Sequence, residues 1–168
     1  NRSTIRRHGV YRLTDTNNDD KYDSIHVIRI QQGSGDHGTH NLRLTPDGRR
    51  IMIINGNATL PSMFSSSRVP MIWNEDQLLP RMDDKGIGGH AAGRLRPGGW
   101  TASFDKDGND FRLETIGYRN PVDFTYNKDG ELFNYDSDME WDMGDPWYRP
   151  TNFQHITSGA DFGFRNGS

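Results

Sequence analysis

Apolar residues along this chain come in short runs separated by polar turn residues. Leu42-Arg43-Leu44 precedes Ile51-Met52-Ile53-Ile54, Phe104 precedes Phe111-Arg112-Leu113, and Tyr126 precedes Leu132-Phe133. Each pair is joined through Asp-Gly: Asp47-Gly48, Asp107-Gly108 and Asp129-Gly130. Asp-Gly between strand-like runs predicts a β-hairpin, because glycine reaches positive φ without a steric cost. A fourth hairpin is predicted around Asp15 to Asp23, between Gly9-Val10-Tyr11-Arg12-Leu13 and Ile25 to Ile30. No stretch carries a sustained helical period, although Ser65 to Leu79 has room for a turn or two of helix.

Repetition of one turn type points to an all-β fold, and within that class to a β-propeller of four-stranded antiparallel blades. The 168 residues read as a single domain over 1–168, with a long loop insertion at about residues 58–97. At roughly 40 to 50 residues per blade the chain supplies about three to four blades, fewer than most closed propellers. A partial propeller from a longer protein is therefore expected, and Asn1, which is not an initiator methionine, agrees with a processed or excised product. The 19 glycines and 8 prolines suit many turns, and the 32% hydrophobic content suits short strands with wet connections. The net charge of -3, with both signs interspersed, shows no basic stripe of the kind a nucleic-acid partner requires. Without cysteine there is no disulfide, thiolate metal site or covalently attached haem. The longest aliphatic run, Ile51 to Ile54, is far too short to span a bilayer.

Four constellations carry possible chemistry. Asp15, Asn17, Asp19 and Asp23 place oxygens at the first, third, fifth and ninth positions of a calcium-type loop. Asp20 stands where that loop wants Gly, and His26 where it wants a bidentate Glu, so a solvated Asx-rich turn is the alternative. His37 and His40 sit between glycines just before a strong strand, where a histidine suits general-base work or simply caps the turn. Arg119-Asn120 joins a permanently charged fork to an amide donor and acceptor. Finally Asp136, Asp138, Glu140 and Asp142 alternate with Ser137, Met139, Trp141 and Met143. In an extended segment these four carboxylates would share one face, which suits a divalent or cationic ligand, or else a solvated acidic loop.

In order and spacing these residues resemble the soluble glucose/sorbosone dehydrogenase family of six-bladed propellers. The closest likeness is to its bacterial branch of membrane-bound dehydrogenase domain proteins. The resemblance runs from His37 and Leu42-Arg43-Leu44-Thr45-Pro46-Asp47-Gly48 through Gly117-Tyr118-Arg119-Asn120-Pro121 and Asn127-Lys128-Asp129-Gly130-Glu131-Leu132. It closes on Trp147-Tyr148-Arg149-Pro150-Thr151 and Gly159-Ala160-Asp161-Phe162-Gly163-Phe164.

What the resemblance implies is oxidation of a sugar or alcohol hydroxyl. His37, with His40 as its neighbour, would be the base. Pyrroloquinoline quinone (PQQ) would accept hydride and contact Arg119 and Asn120, and calcium would orient the quinone. It also implies a periplasmic or secreted location and a cytochrome c-type electron acceptor. Glucose dehydrogenases of this type carry Glu-His-Gly-Pro at the calcium site, where this chain has its acidic stretch from Asp136 to Asp145. Two other functions stay open: a non-catalytic, calcium-dependent propeller binding carbohydrate or protein, and a structural subunit of a redox assembly.

Overall fold

The computed structural model describes residues 7–33, 35–71, 97–137 and 151–164. Within them the chain is all-β, with ten strands in three sheets and a single 3-10 turn at Gly35–His37. Strands β1 (Gly9–Thr14) and β2 (Ser24–Ile30) form an antiparallel ribbon. Strands β3 (Thr39–Leu44), β4 (Ile51–Asn55), β6 (Gly99–Phe104) and β7 (Arg112–Tyr118) follow one another as an antiparallel meander. Two-residue β5 (Ser66–Ser67) adds in parallel to the β7 edge. Strands β8 (Asn120–Tyr126), β9 (Leu132–Ser137) and β10 (Asn152–Ile156) make the third sheet. None of the three sheets closes on itself. Among the described residues no helix is long and apolar enough to cross a membrane.

All four predicted hairpins form. At the three Asp-Gly turns the glycine N–H bonds back three residues, Gly48 to Thr45, Gly108 to Asp105 and Gly130 to Asn127. The glycines take φ of 67°, 88° and 84°, the left-handed conformation that the turn demands.

Strand β4 explains how the sheets stack. Its alternation sends Ile51 and Ile53 to one face and Met52 and Ile54 to the other, so the strand is apolar on both sides. The first pair joins Trp100, Ala102, Phe104, Phe111 and Leu113, against which Val10 and Ile28 of the ribbon pack. Phe64 stacks on Phe111 and meets Trp100 edge-on, at centroid distances of 5.2 and 5.4 Å. Ile54 packs instead with Phe124, Leu132 and Ile156 of the third sheet.

The segment predicted as an insertion divides in two. Residues 58–71 pack on the core, with Val69 buried and β5 in place, so Ser65 to Met71 is extended rather than helical. The rest of that segment, residues 72–96, lies outside the described residues.

Truncating Ile53, which is fully buried between two sheets, to alanine should cost about 2–5 kcal/mol, read from urea unfolding. Gly108→Ala should also destabilise, because a Cβ there would lie 2.8 Å from Ile28 Cγ2 and 2.9 Å from its carbonyl oxygen.

Candidate functional site

Three chain segments meet where β4 ends. The Gly56 N–H bonds to Gly38 O at 2.8 Å, the Ala58 N–H to His37 O at 3.0 Å, and the Asn57 N–H to Arg119 O at 2.8 Å. A Cβ on Gly56 would stand 2.6 Å from His37 O and 2.8 Å from Asn120 Oδ1, so only glycine lets the segments approach this closely.

These main-chain bonds bring His37, His40, Arg119 and Asn120 into one neighbourhood. His37, only 4% exposed, lies at the end of the 3-10 turn with Nδ1 2.6 Å from Asn57 Oδ1. With a carbonyl oxygen facing Nδ1, the proton is assigned to that nitrogen, which makes Nε2 the basic one. His40 is the second residue of β3, and its Nε2 faces Asn120 Oδ1 at 2.5 Å. Each imidazole is thus oriented by a different asparagine.

Asp136 takes part through bonds to the main chain. From β9 its carboxylate accepts the Arg119 N–H at 2.8 Å and the Asn120 N–H at 2.7 Å, one on each oxygen. This pins the corner between β7 and β8, while the Arg119 guanidinium reaches Ser137 Oγ at 3.0 Å. Beside the bridge lies a mainly polar cavity of about 140 Å³, lined by residues including Arg119, Asp136, Ser137, Asn152, Gln154 and Phe162. Its volume falls well below the roughly 300 Å³ at which clefts for organic ligands begin. Arg119 at its wall has the charge to meet a carboxylate.

The other predicted ligands lie apart from this site. Asp15, Asn17, Asp19 and Asp23 are in the exposed turn between β1 and β2. The Asp15 carboxylate accepts N–H bonds from Asn17, Asn18, Asp19 and Asp20, and Asp23 accepts the Thr16 N–H and hydroxyl. Asp20, where a calcium loop has Gly, nevertheless takes φ 64°. These are Asx-turn bonds, which a carboxylate can keep while its other lone pairs ligate a cation. Among the described residues no three His, Asp or Glu side chains gather to hold a metal ion. Asp138, Glu140 and Asp142 lie outside the described residues.

Sequence reasoning missed Asn57 and Gly56. It also missed a polar chain beside them, in which the Thr39 hydroxyl bonds Asn55 Oδ1 at 2.6 Å and Gln31 Oε1 at 3.2 Å. The available signal was Asn55-Gly56-Asn57 directly after four aliphatic residues, which reads as an ordinary turn. Compared with known proteins, the chain matches no family model and no curated protein.

Asp136→Ala strands two N–H groups at a buried corner and should cost about 1–3 kcal/mol or more in urea unfolding, with Asp136→Asn milder. The Asp15–Asp23 turn gives a pH prediction. Thr16, through its hydroxyl and then its N–H, holds Asp23 below the ordinary value of 3.8. Asp15 is raised by desolvation, but the four N–H bonds outweigh this and leave it lowered as well. A depressed carboxyl stabilises the fold above its unfolded value and loses that contribution as pH falls through the folded one. The amide resonances of Thr16 to Asp20 should thus stay in place at neutral pH and shift only as pH drops below 3.8.

Proposed function

We propose that this chain is an arc of a β-propeller whose inner rim carries a hydroxyl-oxidising site, of the glucose/sorbosone dehydrogenase kind that its motifs resemble. The meander β3-β4-β6-β7 has the order of one four-stranded blade. The ribbon β1-β2 and the sheet β8-β9-β10 are parts of the blades on either side. The inner strands of adjacent blades would be β3 and β8. Their proximity is supported by Arg43 Nε bonding Phe124 O at 3.1 Å and by His40 meeting Asn120.

One observation carries the chemistry: buried His37 has its Nδ1 2.6 Å from Asn57 Oδ1, and with the proton assigned to Nδ1 the ring's other nitrogen is the basic one. A base oriented by a third group is the arrangement that proton abstraction from a hydroxyl requires. Arg119, buried, with its guanidinium 3.0 Å from Ser137 Oγ, supplies positive charge at the same corner. The reading rests on the base. The depth of His37 favours a second reading, a hydroxyl-binding site without turnover.

Dye-linked oxidation of aldoses and simple alcohols, with quinone and calcium supplied, separates the two when paired with calorimetric titration of the same sugars. Turnover that falls about 10²–10⁴-fold in His37→Ala is the expected result. Sugar binding without turnover selects the second reading, and neither turnover nor binding removes both.

A further inference from the structure

The third sheet buries a side-chain amide that finds no partner among the described residues. Asn134, in the middle of β9, is only 2% exposed, yet neither its Oδ1 nor its Nδ2 is hydrogen-bonded there. Because both atoms are unpaired, turning the amide over would leave the same two groups unsatisfied. Directly across the ladder stands Gln154 of β10, whose Oε1 is likewise buried and unpaired among the described residues. Such groups cost stability, and native folds keep few of them.

The register gives the two amides a common outlet. Leu132, Asn134 and Asp136 share one face of β9, and Gln154 and Asn152, the cross-strand partners of the last two, share it with them. Leu132 joins this row to the apolar core, whereas Asp136, Asn152 and Gln154 line the polar cavity beside Arg119. Asn134 stands where the row changes from apolar to polar, next to two residues of the cavity wall. The cavity, of about 140 Å³, has the space of roughly four or five water molecules, which is the bulk of a small polyol such as glycerol.

The unpaired groups narrow the ligand further. A primary amide offers an acceptor and a donor side by side, and two hydroxyls on neighbouring carbons match it, one donating to Oδ1 and the other accepting from Nδ2. Gln154 Oε1 can take a further hydroxyl proton. Phe162 gives the carbon chain an apolar surface, and with Asp136 and Arg119 both at the wall the ligand need carry no net charge.

We propose that this cavity binds a small polyol through a vicinal pair of hydroxyls, with Asn134 and Gln154 as the residues that select it. Water shares the hydroxyl chemistry, and the test separates the two. The inference does not depend on His37 as a base, because it concerns other residues and is read without turnover.

The test follows the side-chain amide resonances of Asn134 and Gln154 by NMR in the isotopically labelled whole chain. The probes are glycerol and trimethylene glycol, a diol without the vicinal pair. Glycerol should shift both amides saturably in the millimolar range, and trimethylene glycol should bind about tenfold or more weakly. Asn134→Leu, close in volume, should abolish the Gln154 shift yet unfold at the same temperature as the wild type or above it, since an unpaired buried group has gone. Should that variant not fold, Gln154→Met takes its place and should weaken glycerol by about tenfold. Equal binding of the two diols, or glycerol binding that survives both substitutions, overturns the proposal. The absence of a saturable glycerol shift overturns it too, and long-lived water at the Asn134 amide then identifies the occupant.

Discussion

At the end of β4 there is no space for a side chain on Gly56, and the neighbourhood of the site follows from that exclusion. Because the 3-10 turn and the β7–β8 corner both come within reach of residues 56–58, three main-chain hydrogen bonds tie them there. Those bonds position His37 and Arg119 before any side-chain preference is consulted. The two histidine–asparagine contacts then select rotamers and tautomers in a frame that already exists. A larger residue at position 56 would push the frame apart at backbone level, where no rotamer change can relieve it.

The corner is rigid because of what lies behind it. Strand β4 is covered on both faces, so its end cannot swing without opening one of two cores. On the far side, Asp136 spans two successive N–H groups, which a carboxylate does more strongly than a neutral acceptor. The third sheet is thereby locked to the same corner through polar contacts, while its apolar face packs on Ile54. Placement of the functional groups and stacking of the sheets have one cause.

The hairpins were legible because their cause is local: Asp-Gly between apolar runs needs only glycine's left-handed freedom, and the fold uses it each time. His37 and Arg119-Asn120 were legible as residue types, but their meeting was not, since residues 38, 56 and 119 are joined by pairings distant in sequence. Asn57 carried no signal, because an asparagine beside glycine looks the same whether it makes a turn or orients a histidine. Asp136 was noticed for its charge, yet its partners are backbone groups 16 and 17 residues away, and no composition or period shows them. The Asp15 loop was ambiguous for a different reason. Carboxylates that cap their own backbone and carboxylates that ligate a cation follow the same spacing, and one carboxylate has lone pairs enough to do both.

The polar corner also carries a cost that the rest of the fold must offset. Gln31 Nε2, Thr59 Oγ1 and His8 Nδ1 are buried near it with no hydrogen-bond partner among the described residues, and so is Gln154 Oε1 beside the cavity. Each such group costs about 1–3 kcal/mol when water is withheld. The same residues have apolar neighbours that would close the gaps: Trp100 donates its indole N–H to Thr59 O at 2.8 Å and is itself fully buried. Stability is concentrated in the aromatic cluster of Trp100, Phe64 and Phe111, and unsatisfied polarity a few residues away. An apolar residue of the same shape at one of these positions would relieve the cost there, because it removes the unpaired group without opening a cavity.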